Sequence, residues 1–325
     1  MIDDIQICSV LRNFQSDSDD LQFGDFWIEK LTSKDKKNLS HELHYFNNYP
    51  CDNHLLIKWD HIGRGNTGDF LIRRIRIFWL PLFRLLKLFK SGNLIMTIGF
   101  LHSNNKWREI RIQDEDFFGL SDAYNNNPYI FNKSDIVAFK TFCTEINDYL
   151  KYLNFSVSPF RKTPEPLHNI DFRCLLATHI LLKGSIGRND NIFVFDRLIE
   201  IIYAFESLYL DRDNRKKEPL ASRASTVLSK NENEKQEVYK TLKMFYEIRN
   251  DIVHGSLIED KDEDYLRNNI FILEDYLRKS ILAFLDLNLI KKTKPEVLGL
   301  IKKAGDNPQF KNEIRGKLKI LNLAN

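Results

Sequence analysis

The chain has few of the residues that build covalent or metal-bound frameworks. Its 325 residues include four cysteines that lie far apart in the sequence: Cys8, Cys51, Cys143 and Cys174. This spacing fits neither a disulfide framework nor a paired metal-ligand pattern, so we expect free thiols in a reducing cytoplasm. His41 and His44 have no further ligand cluster nearby. We therefore predict no metal site and no cofactor.

Long apolar runs are also absent. The most apolar stretch, residues 75–89, is interrupted by Arg76, Pro81, Arg84 and Lys87. It falls short of the roughly 20 apolar residues that a membrane span requires. The N-terminus lacks a basic region followed by an apolar core, which argues against a secretory signal. We therefore expect a cytoplasmic protein with no transmembrane helix and no membrane partner.

The length and composition favour two folded domains. With 43% apolar residues the chain can build ordinary packed cores, and its net charge of +3 does not by itself indicate nucleic-acid binding. Pro159, Pro164 and Pro166 mark the expected boundary. We predict an α+β protein in which residues 1–160 form a mixed N-terminal domain and residues 161–325 form an all-α domain.

The N-terminal domain carries weaker patterns. Residues 55–59 are typical of a strand, and residues 93–101 and 107–113 of two strands joined by a polar turn. Residues 22–31 indicate a short ordered element of uncertain type. Apolar residues repeating along 134–153 predict a helix that Ser134 caps.

A basic amphipathic pattern occupies residues 69–90, bent near Pro81. Its cationic residues are Arg73, Arg76, Arg84 and Lys87. They are candidate contacts for an RNA backbone. Two alternatives stay open: a helix lying on a membrane surface, or a half-buried helix whose basic residues point into water.

After the proline-rich boundary the pattern becomes helical throughout. Apolar residues recur at three- and four-residue steps between polar loops. The predicted helices span residues 171–183, 193–210, 219–229, 234–253, 263–287 and 294–303.

The fourth of these helices carries the candidate site near its C-terminal end. Its apolar stripe consists of Val238, Leu242, Phe245, Ile248 and Ile252, and Gly255 is expected to end it. At about 100° per residue, Glu247, Asn250 and His254 share the opposite face and Arg249 lies on the flank.

These side chains suit phosphodiester chemistry. Arg249 offers a planar fork of donors that matches a phosphate, and its side chain is long enough to reach toward the face of His254. The unpaired carbonyls of a helix C-terminus favour a protonated histidine, which suits proton transfer by His254 near neutral pH. The alternative without a function is that His254 is only a C-cap residue and that the Arg-Asn-Asp run is a solvated helix face.

Arg249-Asn250 with His254 four residues further on resembles the signature of the HEPN superfamily. Three blocks, residues 201–210, 220–224 and 246–255, resemble in order the ApeA-like branch of that superfamily. The resemblance covers about residues 170–290. It implies a helical bundle that usually forms a symmetric homodimer, in which the arginine and histidine motifs of both copies meet in one cleft.

The resemblance also implies an activity. The ApeA-like branch is linked with bacterial anti-phage defence and abortive infection. We therefore expect a metal-independent endoribonuclease that leaves a 2′,3′-cyclic phosphate, with Arg249, Asn250 and His254 as catalytic residues. Glu247, Glu206 and Arg223 are candidate supporting residues. Glu206 could orient Arg249 or His254, or pair with Arg223 as a structural bridge.

Regulation and the alternative function follow from the same resemblance. A phage-derived molecule or a nucleotide could trigger the enzyme, with the N-terminal domain acting as a sensor, a substrate grip or an inhibitor. Some HEPN proteins use the bundle only for dimerisation or RNA binding, so a catalytically silent module in a defence or toxin–antitoxin system is the alternative.

Overall fold

The computed structural model describes most of the chain in two compact units, Met1–Lys140 and Thr141–Asn325. The described residues are 2–12, 14–23, 26–33, 36–37, 54–63, 82, 85–92, 94–103, 106–110, 128–150, 173–174, 176–178, 180–181, 191–211, 217–291 and 293–324. Strands lie in the first unit, and the regular structure described in the second is helical. This agrees with the α+β prediction. The predicted boundary near residue 160 lies outside the described residues.

The first unit is built on an antiparallel sheet of six strands in the order β3-β4-β5-β1-β6-β7. The strands are β1 (Ile2–Arg12), β2 (Phe14–Gln15), β3 (Asp20–Phe23), β4 (Phe26–Lys30), β5 (His54–Gly63), β6 (Ile95–Ser103), β7 (Lys106–Ile110) and β8 (Tyr129–Ile130). β1 pairs with β5 on one side and with β6 on the other. The short β2 and β8 pair in parallel outside this sheet.

Two strand predictions are confirmed. The strand predicted at 55–59 lies within β5, and the predicted hairpin is β6–β7, closing with Ser103 opposite Lys106. The ordered element at 22–31 is largely strand, contributing the end of β3 and all of β4.

Aromatic rings form a cluster in the first unit. The rings of Phe89 and Phe131 both meet Phe139 edge-on, at centroid distances of 5.2 and 5.5 Å. The buried Tyr129 donates its hydroxyl hydrogen bond to the Leu86 carbonyl at 2.6 Å. Burial of these rings supplies the apolar contacts that hold the segment around residue 86 in place.

Only the end of the predicted basic helix is described. Residues 85–89 are helical, with Lys87 half-buried among buried leucines and Phe89. Arg73, Arg76 and Arg84 lie outside the described residues, so their proposed RNA contacts stay a prediction. Among the described residues no helix is both long enough and apolar enough to cross a membrane.

The helices agree closely with the predicted pattern. They are α1 (Asp135–Leu150), α2 (Asn191–Tyr209), α3 (Lys217–Leu228), α4 (Glu232–Val253), α5 (Asp260–Ile290), α6 (Lys294–Asp306), α7 (Pro308–Lys317) and α8 (Lys319–Leu323). The boundary between the two units falls inside α1. Residues 173–174, 176–178 and 180–181 are also helical, within the predicted segment 171–183.

The second unit packs α2, α3, α4 and α5 around one apolar core. Tyr209 of α2 is fully buried, and its ring meets Phe284 of α5 edge-on at 5.1 Å. Its hydroxyl donates to Ser280 Oγ at 3.0 Å, so its polar end is satisfied inside the core. Tyr209 therefore ties α2 to the middle of α5.

The C-terminal helices belong to this unit. The buried Lys294 at the start of α6 donates to the carbonyls of Ser207 and Leu210, which close the last turn of α2. Arg278 of α5 donates to the Ala324 carbonyl at 3.0 Å. Because helix C-terminal carbonyls lack partners within their own helix, these cations satisfy groups that would otherwise be buried without one.

Candidate active site

The candidate site lies on α4, whose start is fixed by local capping. The Asn231 side chain accepts a hydrogen bond from the Glu234 backbone N–H at 2.9 Å. Glu232 and Glu234 place negative charge on the first turn, where it interacts favourably with the positive end of the helix dipole. The apolar stripe is buried as predicted at Val238, Leu242, Phe245 and Ile248, whereas Ile252 is half-buried. This stripe fixes which face α4 turns outward.

Gly255 ends α4, as predicted. The Gly255 N–H donates to the Ile252 carbonyl at 3.1 Å and the Ser256 N–H donates to the Asp251 carbonyl at 2.8 Å. This is the Schellman arrangement, which requires a left-handed residue, and Gly255 has φ +72°. His254 is therefore held as the C-cap residue, with its backbone N–H bonded to the Asn250 carbonyl at 2.9 Å.

The three predicted catalytic residues lie on the exposed end of α4. The side chain of His254 is exposed, while Arg249 and Asn250 are half-buried. An Arg249 terminal nitrogen, NH1, donates to Asn250 Oδ1 at 3.1 Å. The Arg249 Nε is buried and has no hydrogen-bond partner among the described residues. Arg249 and Asn250 are thus brought into contact, and the imidazole is left open to a ligand.

The hydrogen-bond partner of Arg249 differs from those of other arginines in the second unit. Several of these pair with carboxylates within 4 Å: Arg197, Arg223, Arg267 and Arg278. Among the described residues, Arg249 donates only to the neutral amide of Asn250. Its positive charge is therefore not neutralised locally, and a guanidinium with unused donors favours an anion.

The structure gives Glu206 a partner that the sequence did not predict. Glu206 Oε1 on α2 accepts a hydrogen bond from the Tyr246 hydroxyl at 2.8 Å. Arg223 instead donates to the Tyr209 carbonyl at 2.6 Å and lies 3.7 Å from the Asp211 carboxylate. The Glu206–Arg223 bridge, one of the alternatives for Glu206, is therefore not formed. The reason is that Arg223 reaches the last turn of α2, whose free carbonyl attracts the cation.

Tyr246 connects Glu206 to the site. Its ring is 6% exposed, and the Arg249 guanidinium carbon lies 5.8 Å from the ring centroid. Glu206 therefore reaches Arg249 through a tyrosine and not by direct contact. Tyr246 stands three residues before Arg249, and a neighbour one helical turn away is the signal by which the sequence could have identified it.

Glu247 is exposed on the outward face that it shares with Asn250 and His254, as expected from the helical angle. Its supporting role stays a prediction. The described cysteines Cys8, Cys143 and Cys174 are free thiols. Burial raises the pKa of Cys143 to about 12 and, together with Glu29, raises that of Cys8 still further. These two are poor candidates for a nucleophile at neutral pH.

No group of three or more histidine, cysteine or acidic side chains within the described ranges is placed to hold a metal ion. His41 and His44 lie outside those ranges. Comparisons with known protein families, with curated proteins and with solved structures find no match to this chain.

Proposed function

We propose that this chain is a HEPN-type endoribonuclease that cleaves RNA without a metal ion. The observation that carries the proposal is the end of α4, where Arg249 has no carboxylate partner among the described residues and His254 is exposed one turn away. A cation with free donors and an exposed imidazole at the same helix end suit a substrate that has a negative charge and a proton to remove. RNA has both, in its phosphate and its 2′-hydroxyl.

The reaction assigns one role to each side chain. A His254 imidazole takes the proton from the ribose 2′-hydroxyl, and the 2′-oxygen attacks the adjacent phosphorus. The bond from phosphorus to the 5′-oxygen then breaks, and a protonated His254 of a second copy donates a proton to that oxygen. Arg249 offsets the negative charge that develops on the phosphate, while Asn250 orients the guanidinium. The products are a 2′,3′-cyclic phosphate and a 5′-hydroxyl.

A homodimer supports this scheme because the reaction uses a base and an acid, and each copy supplies one His254. In a symmetric dimer the two α4 ends would meet at the two-fold axis. Exposed apolar side chains flank His254, with Val253 49% and Leu257 95% exposed. Such residues favour contact with another protein surface. The same surface fits the alternative, a silent dimerisation or RNA-binding module.

The resemblance of the chain to ApeA-like proteins supports a role in defence against phage. On this proposal the enzyme acts in the cytoplasm, is dormant until infection, and is activated by a phage-derived molecule or a nucleotide. The first unit would sense that trigger, grip the RNA or inhibit the second unit.

The decisive experiment is a cleavage assay in EDTA with RNA oligonucleotides and with the same sequences containing one 2′-deoxyribose. We expect the wild type to cut only at ribose positions, with cyclic-phosphate ends, and His254→Ala and Arg249→Ala to lose at least about a hundredfold in rate. Asp251→Asn, an exposed change on the same turn, is the matched control. Cutting of the 2′-deoxy substrate would refute the mechanism.

Two further experiments test whether the site is shared between copies and whether the chain is a silent module. In the first, wild type and His254→Ala are co-folded in varied ratios. If the site is shared across a dimer, the remaining activity is proportional to the square of the wild-type fraction. A site contained in one copy gives a linear loss. RNA binding without cleavage, even after addition of phage-infected extract, would favour the module.

A further inference from the structure

We propose that Tyr246 is a positioning residue that holds the Arg249 guanidinium ready for phosphate, and that Glu206 fixes the tyrosine. The inference rests on the proposed function, because it assigns Arg249 a phosphate. Neither Tyr246 nor its hydrogen bond enters the reaction scheme above. The structure nevertheless places Tyr246 near the Arg249 guanidinium and joins Tyr246 to Glu206 by a hydrogen bond.

The tyrosine itself is fixed at both ends. Its ring is nearly buried in the face that α4 turns toward the core, and its hydroxyl donates to Glu206 on α2 at 2.8 Å. A hydrogen bond to a carboxylate is stronger than one between neutral groups. Tyr246 is therefore tied to a second helix, and its side chain cannot move to another χ1 rotamer without breaking that bond.

The guanidinium is then held on two sides. Its central carbon lies 5.8 Å from the Tyr246 ring centroid, and NH1 donates to the Asn250 amide oxygen at 3.1 Å. Aromatic faces attract guanidinium groups at this range. A phenol that donates its proton toward a carboxylate has a more electron-rich ring, which strengthens the attraction.

Burial of the Arg249 Nε completes this arrangement. That atom has no hydrogen-bond partner among the described residues. An arginine in this position gives up solvation and rotamer freedom before any ligand arrives. The Tyr246 ring and the Asn250 amide offset that loss. They hold the guanidinium in one orientation, so its remaining N–H donors are already in place when a phosphate binds.

The first test reads the geometry and does not depend on activity. In a protein labelled with ¹⁵N-arginine, the Nε–H signal of Arg249 is assigned by its absence in Arg249→Lys. We expect this signal to be displaced by the ring current, to stay in place in Tyr246→Phe and to move in Tyr246→Leu. An unchanged signal in Tyr246→Leu would overturn the proposal.

The second test is kinetic and uses the same variants on RNA. Tyr246→Leu should lower kcat about tenfold, equivalent to about 1.4 kcal/mol, with little change in KM. Tyr246→Phe keeps the ring and should recover most of the rate, and Glu206→Gln, which keeps an acceptor for the tyrosine hydroxyl, should lower kcat no more than Tyr246→Phe does. Tyr239→Leu, the same change two turns earlier on α4, is the control for loss of packing.

The outcomes distinguish a failure of the proposed function from a failure of the positioning role of Tyr246. A wild type that cuts no RNA refutes the proposed function, while the arginine signal still decides whether Tyr246 positions Arg249. An active wild type with Tyr246→Leu and Tyr246→Phe equally active would refute the positioning role alone. Equal losses in Tyr246→Leu and Tyr239→Leu would also refute it, because they would reflect damage to the helix.

Discussion

Asp286 offers the sharpest test of how the C-terminal helix is attached. This carboxylate on α5 is 2% exposed and accepts hydrogen bonds from the backbone N–H groups of Ile320 and Leu321, each at 3.1 Å. These donors belong to the first turn of α8, where Leu318 provides no side-chain cap. A residue from another helix thus performs the task of an N-cap.

Burial raises the pKa of Asp286 from 3.8 to about 6, although the two backbone hydrogen bonds act in the opposite direction. The folded protein therefore binds a proton more tightly than the unfolded chain, so the free energy of unfolding falls as pH rises from about 4 to about 6. The full shift corresponds to about 3 kcal/mol. Between pH 4 and pH 8 the expected loss is about 2 kcal/mol.

Asp286→Asn removes this titration and leaves one N–H facing an amide that cannot accept from it, which costs about 1–3 kcal/mol at every pH. The stability advantage of wild type over the variant should therefore be about 2 kcal/mol larger at pH 4 than at pH 8. All four tryptophans precede residue 141, so tryptophan fluorescence reports the first unit. Urea titrations followed by circular dichroism at 222 nm monitor the helical unit.

Asp275→Asn on the same helix is the control of opposite sign. Burial alone would raise the pKa of Asp275, but Arg278 and Lys279 together hold it below 3.8. Its contribution is present above pH 4 and is lost as pH falls further, so this variant's deficit must not grow on acidification. An Asp286→Asn deficit that is the same at pH 4 and pH 8 would refute the reasoning.

Substitutions at two further positions test the ends of helices. Lys294→Met should destabilise the helical unit by about 2–4 kcal/mol because two carbonyls of α2 lose their donor. Burial and the nearby Arg173 lower the pKa of Lys294 from 10.5 to about 7. The stability deficit of Lys294→Met, measured by urea titration, should therefore widen between pH 7 and pH 10. A constant deficit would contradict this. Gly255→Ala should cost about 1–2 kcal/mol in thermal melts through its φ of +72° alone, since no atom lies within 4 Å of the added methyl, and Gly255→Asn should cost less.

The helical unit was predictable because its apolar spacing is regular. The stripe from Val238 to Ile248 fixed both the period and the buried face of α4, and Gly255 fixed its end. Residues 304–323 were not assigned because α7 and α8 are short, so their packing depends on distant partners. Asp286 is one such partner, 34 residues before Ile320, and no local pattern reveals it.

The first unit was less predictable, since its sheet depends on pairing between remote segments. The 11-residue β1 occupies the interior of the sheet, and its partners β5 and β6 start at His54 and Ile95. Propensity alone does not identify a strand whose stability comes from such partners. The hairpin β6–β7 was recognisable because its turn is local.

The site shows the same division. Helical angles predicted that Asn250 and His254 lie on the outward face. The sequence left three candidate partners for Glu206, namely Arg249, His254 and Arg223, and it did not identify Tyr246. A tyrosine beside an apolar stripe is normally a packing residue. The positioning role that we propose for Tyr246 depends on the carboxylate that α2 supplies at its hydroxyl.

The geometry of a single helix gives a separate reason to expect two copies at the site. Arg249 and His254 are five residues apart, which separates them by about 140° around the axis and about 7.5 Å along it. Arg249 also lies over Tyr246, which is one turn toward the N-terminus and thus away from His254. Asn250 and His254, four residues apart, share one face. A phosphate held by His254 of one copy is therefore reached more directly by Arg249 of the other, so we expect monomeric variants to lose activity even when α4 stays intact.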